Sequence, residues 1–391
     1  MKLRLGVIFG GESVEHEVSI ISAVQAMKHL DAEKYEIIPI YIGKNREWYT
    51  GKLLKDIDVY SDMDLLKRYS TNVILTNKDD KFVLIKKNGI RRIIDYIDLV
   101  LPVVHGTNVE DGTLQGYLEL LGIPYVGSNV YSSAIGQDKI FEKQILESSG
   151  LPVTKYTWFY DNEYKEDEDE VLKKIKNIGY PVMVKPARLG SSVGISKVKN
   201  EKDIKDAIEE AIRYDEKILI EKVVDNLVEV NCSVLGNYEY QEASVLEEVM
   251  GTDEFLSYRD KYLGGSKKTG SKGMASTNRV LPARLDDRLT NEVREMSKNV
   301  FKVINACGVI RIDYLIDKKS KKVYVNETNT IPGSLSFYLW EATDKPYKEL
   351  LDDMISLAIK TYKRKKKKLY SFETNILSNF NGMKGSKGKL R

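Results

Sequence analysis

A chain of 391 residues, 42% of them hydrophobic, is long enough for two or three cores rather than one, and no apolar run approaches the roughly eighteen residues a membrane span needs. Residues 361–391 carry ten Lys or Arg against one Glu, so within an overall charge of +3 the preceding 360 residues stand at −6 and the basicity belongs to the tail. Cys232 and Cys307 are too few for a disulfide framework and have no zinc-site spacing, which excludes a secreted disulfide scaffold and makes the cytoplasm the expected compartment.

Residues 3–9 read as a buried strand, Gly10 and Gly11 as a tight turn, and the next segment as a helix with Val18, Ile21, Val24 and Met27 on one side. The first apolar run is broken too early for a signal peptide. Glu15 falls at the loop-to-helix boundary, where ligands approach the ends of parallel strands, although a carboxylate there also complements the helix dipole. A second strand, 36–42, precedes a polar excursion over 44–92 that holds a hairpin near 82–94 and no motif. A strand at 98–104 leads into HGTNVEDG, residues 105–112, and a helix over 113–121. His105 should face the same edge as Glu15, beside Glu110 and Asp111, with a structural imidazole as the equal alternative. After a domain boundary near Gly127, a helix containing Asp138, Lys139 and Lys143 ends at Gly150.

The acidic stretch 161–170 reads as a solvated loop running into a helix. A strand at 181–185 ends in Lys185, and Gly190, Ser191, Ser192 and Gly194 form a small-residue loop before a strand at 195–198. Such loops present backbone N–H groups to phosphate while a neighbouring lysine adds a point charge, although an ordinary hairpin loop has the same composition. Neither a Walker loop nor a GxGxxG fingerprint is present. A strand at 217–221 leads into Lys222, whose backbone suits the edge of an adenine, and the strand containing Glu229 opens a third region. Residues 254–272, rich in Gly, Lys and Tyr, have the composition of a lid over phosphates. An amphipathic helix over 285–306, a hairpin and a helix over about 345–362 close the fold. The KRKKKK tail is expected to be a disordered solubilising segment, with nucleic-acid or anionic-membrane contact as the alternative.

The hairpin, residues 309–333, carries charges on one face. With the turn centred near Ser320, Asp313 lies opposite Glu327 and Arg311 opposite Asn329, and because side chains alternate, all four share a surface. Two carboxylates and an amide suit Mg²⁺, which takes oxygen ligands and is shared with substrate phosphates. The alternative is a solvent-facing hairpin with a surface Arg–Asp pair.

In chain order, GGESVEHEVS, HGTNVEDGTLQG, QDK, VKPARLGSSVGISKV, IEK, YRDKY, IRID and NETNTIPG resemble the D-alanyl-D-alanine ligases of the ATP-grasp superfamily, over about residues 3–359. The resemblance implies an α/β chain, α+β in its nucleotide-binding part. It divides into an N-terminal parallel-sheet substrate domain (1–127), a central ATP-grasp subdomain (128–222), a C-terminal ATP-grasp subdomain with the metal site (223–362) and the tail (363–391). It further implies that Lys139, Lys185, Ser192, Glu221, Lys222, Glu229 and Lys261 contact ATP, and that Asp313, Glu327 and Asn329 hold two Mg²⁺, or Mn²⁺. Glu15 would receive the ammonium of the first D-amino acid and His105 would lie near its carboxylate. Ser191 and Tyr262 would complete a hydrogen-bonded trio with Glu15, and Arg311 with the backbone of Gly333 would line the oxyanion site. The implied product is D-alanyl-D-alanine for peptidoglycan precursors, made by a homodimer acting on small D-amino acids and ATP. Tyr262 favours a dipeptide, because D-lactate-using relatives carry phenylalanine there.

Three positions depart from the family pattern. Tyr338 stands where a serine hydroxyl usually binds the second substrate's carboxylate, with Ser334 and Ser336 nearby. Val109 replaces a usual glycine and Gln137 a usual methionine. A ligase using D-serine, D-lactate or another second substrate therefore stays open, as does a non-catalytic nucleotide-binding protein.

Overall fold

In the computed structural model, which describes residues 2–250 and 279–371, three sheets carry the chain. The first contains β1 (Leu3–Gly10), β2 (Tyr35–Ile42), β3 (Trp48–Thr50), β4 (Thr71–Lys78), β5 (Lys81–Lys86), β6 (Ile93–Ile97) and β7 (Leu99–Val104), in the order β6-β5-β4-β3-β2-β1-β7. Strand β1 pairs in parallel with β2 and β7, and its unbroken apolar run is what a strand covered on both faces requires. Pro102 is tolerated in β7 because that strand lies at the sheet edge. Both β1 and β7 end at the same margin, so the loops that follow them, carrying Glu15 and Glu110, emerge side by side.

The expected parallel sheet is in fact mixed. Residues 44–92 are not an excursion from it but most of its antiparallel half, with β3, β4 and β5 added in sequence and β6 closing the edge. The turn between β4 and β5 is Asp79-Asp80, both left-handed at φ 51° and 57°, as a two-residue type I′ hairpin demands. An Asp-Asp pair does not announce such a turn as Asn-Gly would.

The second sheet is antiparallel: β8 (Tyr156–Tyr160), β9 (Val182–Pro186), β10 (Ser196–Val198) and β11 (Lys217–Lys222), ordered β10-β9-β11-β8. Helices Glu168–Ile178 and Ile204–Ile212 cover it. The latter buries Ile204, Ala207, Ile208 and Ala211, the i, i+3, i+4, i+7 stripe of an amphipathic helix. The expected single helix around Asp138 is two, Val130–Gln137 and Lys139–Ser148. Asp138 leaves helical geometry at ψ 99° and caps the second by accepting from the N–H groups of Ile140 and Phe141.

The third sheet, also antiparallel, runs β14-β13-β12-β15-β16, formed by β12 (Leu227–Gly236), β13 (Gln241–Val249), β14 (Arg279–Val280), β15 (Gly308–Asp317) and β16 (Lys322–Asn329). Helix Asp287–Val303 packs on one face with Val293, Val300 and Phe301 buried against Val230, Cys232 and Ile312. The other face carries Glu229, Asn231, Arg311 and Asp313. The last helix, Tyr347–Lys365, extends three residues past position 362. Arg364 pairs there with Glu239 and Lys365 with Glu119, and cations suit a helix C-terminus.

Candidate active site

The hairpin β15–β16 has the register read from sequence, Asp313 opposite Glu327 and Arg311 opposite Asn329, but it reaches it by a different route. Nearer the turn the pairs are Asp317–Lys322 and Tyr314–Val325, a register that would set Asp313 against Asn326. A bulge at Asn326 inserts one residue and moves Glu327 and Asn329 onto the face of Asp313 and Arg311. Without that bulge the four would be split between core and site. Arg311 donates from Nε and Nη2 to the two Asp313 oxygens at 2.6 and 2.7 Å, and Asn329 Nδ2 reaches Asp313 at 3.2 Å. The Arg–Asp pair is therefore present, but at 14% and 16% exposure it is not a surface pair. Burial disfavours the Arg311 charge, yet Asp313 holds its pKa well above the ordinary value, so the guanidinium is permanently charged. Two carboxylates and an amide oxygen are hard donors of the kind that would hold Mg²⁺. Among the described residues no group of three or more His, Cys, Asp or Glu side chains gathers as a metal cage.

Two lysines face this cluster. Lys139 Nζ lies 3.3 Å from Glu327 and donates to the Leu189 carbonyl at 2.9 Å. Lys185 Nζ lies 2.5 Å from Glu221 and 3.3 Å from Asn326 Oδ1. Glu221 is buried, and its other oxygen meets Lys143 Nζ at 2.6 Å and the Thr154 hydroxyl at 2.7 Å. Burial alone would raise the Glu221 pKa, but the two ammonium groups pull it far below the usual carboxylate range. Lys222 donates to the carbonyls of Gly179 and Tyr180, so its ammonium caps the end of helix Glu168–Ile178. Glu229 lies on the same sheet face as Asn231 and adds to the negative field on Lys185.

A second cluster, around Glu15, is built by loops far apart in sequence. The Ser191 hydroxyl donates to Glu15 Oε1 across 176 positions. A Cβ at Gly190 would stand 2.8 Å from Glu15 Oε2 and one at Gly106, where φ is 81°, 2.9 Å from the same oxygen, so a side chain at either position would push the carboxylate aside. Ser191 and Ser192 adopt left-handed φ of 56° and 60°, a sparsely populated conformation of the kind found at ligand clamps. His105 is buried and both ring nitrogens are engaged, Nδ1 with the Ile331 carbonyl at 2.8 Å and Nε2 with Ser22 Oγ at 3.0 Å. Burial lowers its pKa to about 4, leaving it neutral at pH 7. Gly333 begins a turn in which Ser334, Leu335 and Ser336 are all left-handed, and the Ser334 N–H donates to Ser22. Tyr338 follows, its hydroxyl donating to Glu247 at 2.8 Å. Lys261, Tyr262 and the proposed lid, 254–272, lie outside the described residues.

Residues 4–128 match the family model for the D-ala D-ala ligase N-terminus and residues 145–356 that for the C-terminus. The chain belongs to the D-alanine–D-alanine ligase family. Relatives bearing the name D-alanine–D-alanine ligase include one from Thermosipho melanesiensis, 41% identical over 96% of this chain and 98% of its own length. Another, from Caldicellulosiruptor bescii, is 44% identical over 95% and 99%. Among solved structures, the D-alanine-D-alanine ligase from Coxiella burnetii superposes with a TM-score of 0.78 at 30% identity, covering 94% of this chain and 96% of that one. The VanG D-Ala:D-Ser ligase from Enterococcus faecalis gives 0.77 at 31%, covering 92% and 100%. The fold is thus the ATP-grasp fold of this ligase family.

Several residues of this ligase-family site escaped the sequence. Glu110, noted only as a neighbour of His105, is buried and accepts from the N–H groups of Gly106 at 2.9 Å and Ile331 at 2.8 Å, fastening two loops together. Burial, then the charge of Glu15, raises its pKa to about 8. Lys143, read only as a helix residue, is the second cation on Glu221, and a Lys four residues after Lys139 on one helix face was its one available signal. Gln137, flagged as a departure, donates to the Arg188 carbonyl at 2.7 Å and, with Lys139 on Leu189, holds the chain just ahead of Gly190 and Ser191.

Proposed function

We propose that this chain is an ATP-dependent ligase that joins two D-alanines through an acyl phosphate to give D-alanyl-D-alanine, ADP and phosphate, for peptidoglycan precursor synthesis. The observation that carries this reading is the Ser191–Glu15 contact, which sets the phosphate-type loop directly on the amino-acid loop. A carboxylate is a poor acyl donor, so it attacks the γ-phosphate of ATP, and the amine of the second D-alanine then displaces phosphate from the acyl phosphate. Lys139 and Lys185 neutralise charge on the transferring group. Arg311 stabilises the oxyanion without titrating, together with the backbone of Gly333. Glu15 takes the first ammonium, with His105 beside that amino acid's carboxylate. Ser192, Glu221, Lys222, Glu229 and Lys261 line the nucleotide, and Tyr262 completes the trio with Glu15 and Ser191. Asp313, Glu327 and Asn329 would hold two Mg²⁺, or Mn²⁺, which supply Lewis-acid charge neutralisation at the phosphates.

The same reading divides the chain at 127 and 222, makes the enzyme a cytoplasmic homodimer, and leaves the basic tail without a catalytic role. Tyr338 at the serine's position makes the second amino acid the point to test. Phosphate release should saturate with D-alanine as sole amino acid. Release that appears only when D-serine, D-lactate or another acceptor is added would refute the product and keep the family, and ATP binding with no acceptor-dependent ADP would refute the enzyme.

A further inference from the structure

Tyr338 has one O–H to donate, and it is engaged by Glu247 Oε2 at 2.8 Å. The hydroxyl at the serine's place is therefore turned toward a carboxylate of the protein and away from the role of an acceptor-carboxylate donor. A cation stands over the same ring instead. Arg279 Cζ lies 4.2 Å from the Tyr338 ring centroid, within cation–π range, and Arg279 Nη1 lies 3.0 Å from Glu247 Oε1. Glu247 also accepts from Asn231 Nδ2 at 3.3 Å. The four side chains are largely buried or half-buried, Arg279 at 12% exposure and Glu247 at 4%.

The sheet puts this group in line with the reaction centre. Glu247 pairs with Asn231, Asn231 with Asp313 and Asp313 with Glu327, a single polar row across β13, β12, β15 and β16. Arg279 pairs with Val249, two residues from Glu247 on β13, and so shares that face. Two strand spacings, about 10 Å, separate Asp313 from Glu247, a span that accommodates a phosphoryl group and one amino acid. Burial, then the charge of Glu247, raises the Tyr338 pKa, and both Arg311 and Arg279 are near enough to oppose that rise.

We infer that Arg279, steered by Glu247 and stacked on Tyr338, is the residue that receives the carboxylate of the acceptor D-amino acid, replacing the serine hydroxyl of the family pattern. The inference rests on the ligase reading above. A guanidinium recognises a carboxylate in a planar, charge-assisted manner, more strongly than a neutral hydroxyl does. Tyr338 is then the platform and Glu247 the positioning residue, and acceptors without a carboxylate are discriminated against at this point.

The test compares the full-length chain with R279Q and R279K, measuring phosphate release over a D-alanine range fitted to two sites, donor and acceptor, and with D-alaninamide as acceptor beside donor D-alanine. R279Q should raise the acceptor KM at least tenfold while the KM for ATP and for the donor D-alanine stay within about twofold. With D-alaninamide, wild type and R279Q should perform alike, since the group Arg279 recognises is gone. R279K, which keeps the charge and loses the fork, should fall between them. An equal loss with D-alanine and D-alaninamide, or a rise in the ATP and donor KM values by the same factor, would overturn the inference by showing a merely structural role. Absence of D-alanine-dependent phosphate release in the wild-type chain would instead overturn the ligase reading itself.

Discussion

Replacing Glu221 by Gln probes the most heavily charged buried contact of the site. Glu221 lies 2.6 Å from Lys143 and 2.5 Å from Lys185, with side-chain exposures of 2%, 1% and 8%. At an effective dielectric of about 20, each contact is worth about 6 kcal/mol of Coulomb attraction, offset by several kcal/mol of desolvation for each of the three ions. The amide keeps the shape but takes from two buried ammonium groups the carboxylate they share, a change that typically costs roughly 3–5 kcal/mol. Urea unfolding of E221Q without nucleotide should show that loss. K143M in the E221Q background should recover part of it, because one orphaned cation is then removed. The ion pairs also fix a pH dependence. The Glu221 pKa is depressed in the fold, so its contribution is complete above the ordinary carboxylate value near 4.5 and is lost as pH falls below it. Additivity of E221Q and K143M within about 0.5 kcal/mol would refute the triad as an energetic unit.

Asp313→Asn removes one of the two hairpin carboxylates, and turnover should fall by about 10²-fold or more, with the residual rate demanding higher Mg²⁺; initial rates across a Mg²⁺ titration check this. His105 stays neutral to about pH 4 in the fold against about 6.5 unfolded, so acidification protonates the unfolded chain first and removes about 2 kcal/mol of stability by pH 5. Urea midpoints at pH 7.5 and 5.0 should therefore differ less in H105N than in wild type. Glu110 acts with the opposite sign: its contribution is full below about 4.5 and is lost as pH rises through about 8, and E110Q should abolish that decline. A chain ending at residue 371 should match the full chain in turnover and melting temperature. One ending at 362 should keep turnover but melt lower, since it loses the Arg364–Glu239 and Lys365–Glu119 pairs.

What the sequence revealed followed its periodicity. Period-two alternation in β15 placed Arg311 and Asp313 on one face, and the apolar runs of β1 and β7 placed Glu15 and His105 at one margin. The Asn326 bulge was not legible, since nothing in VNETN marks which residue is unpaired, and the correct register emerged only because the turn centre and the bulge each shift it by half a step. Glu110 and Lys143 were missed for another reason. A buried charged side chain acquires its role from partners more than 70 positions away, Ile331 for Glu110 and Glu221 for Lys143, and local composition carries no record of them. The mixed first sheet was likewise hidden, because its antiparallel strands are short, polar on one face and joined by an Asp-Asp turn.

The turn after Gly333 connects these scattered contacts. Three consecutive left-handed residues that are not glycine cost roughly 1–2 kcal/mol each, so Ser334-Leu335-Ser336 persists only because its surroundings over-determine it. Leu335 is buried in the core of the first sheet, offsetting about 2 kcal/mol. The Ser334 N–H and hydroxyl are held by Ser22 and Gln25 of helix His16–His29. Ser22 in turn holds His105, and His105 and Glu110 both hold Ile331. On the far side Trp340 donates to Ser233 of β12, two residues from Asn231 and on the same face. The segment that carries Gly333 and Tyr338 is thereby clamped between the first and third sheets. The chain departs from the family pattern within this clamped segment, while Asp313 and Glu327 stay paired across the hairpin and Lys139 and Lys185 keep their carboxylate partners Glu327 and Glu221.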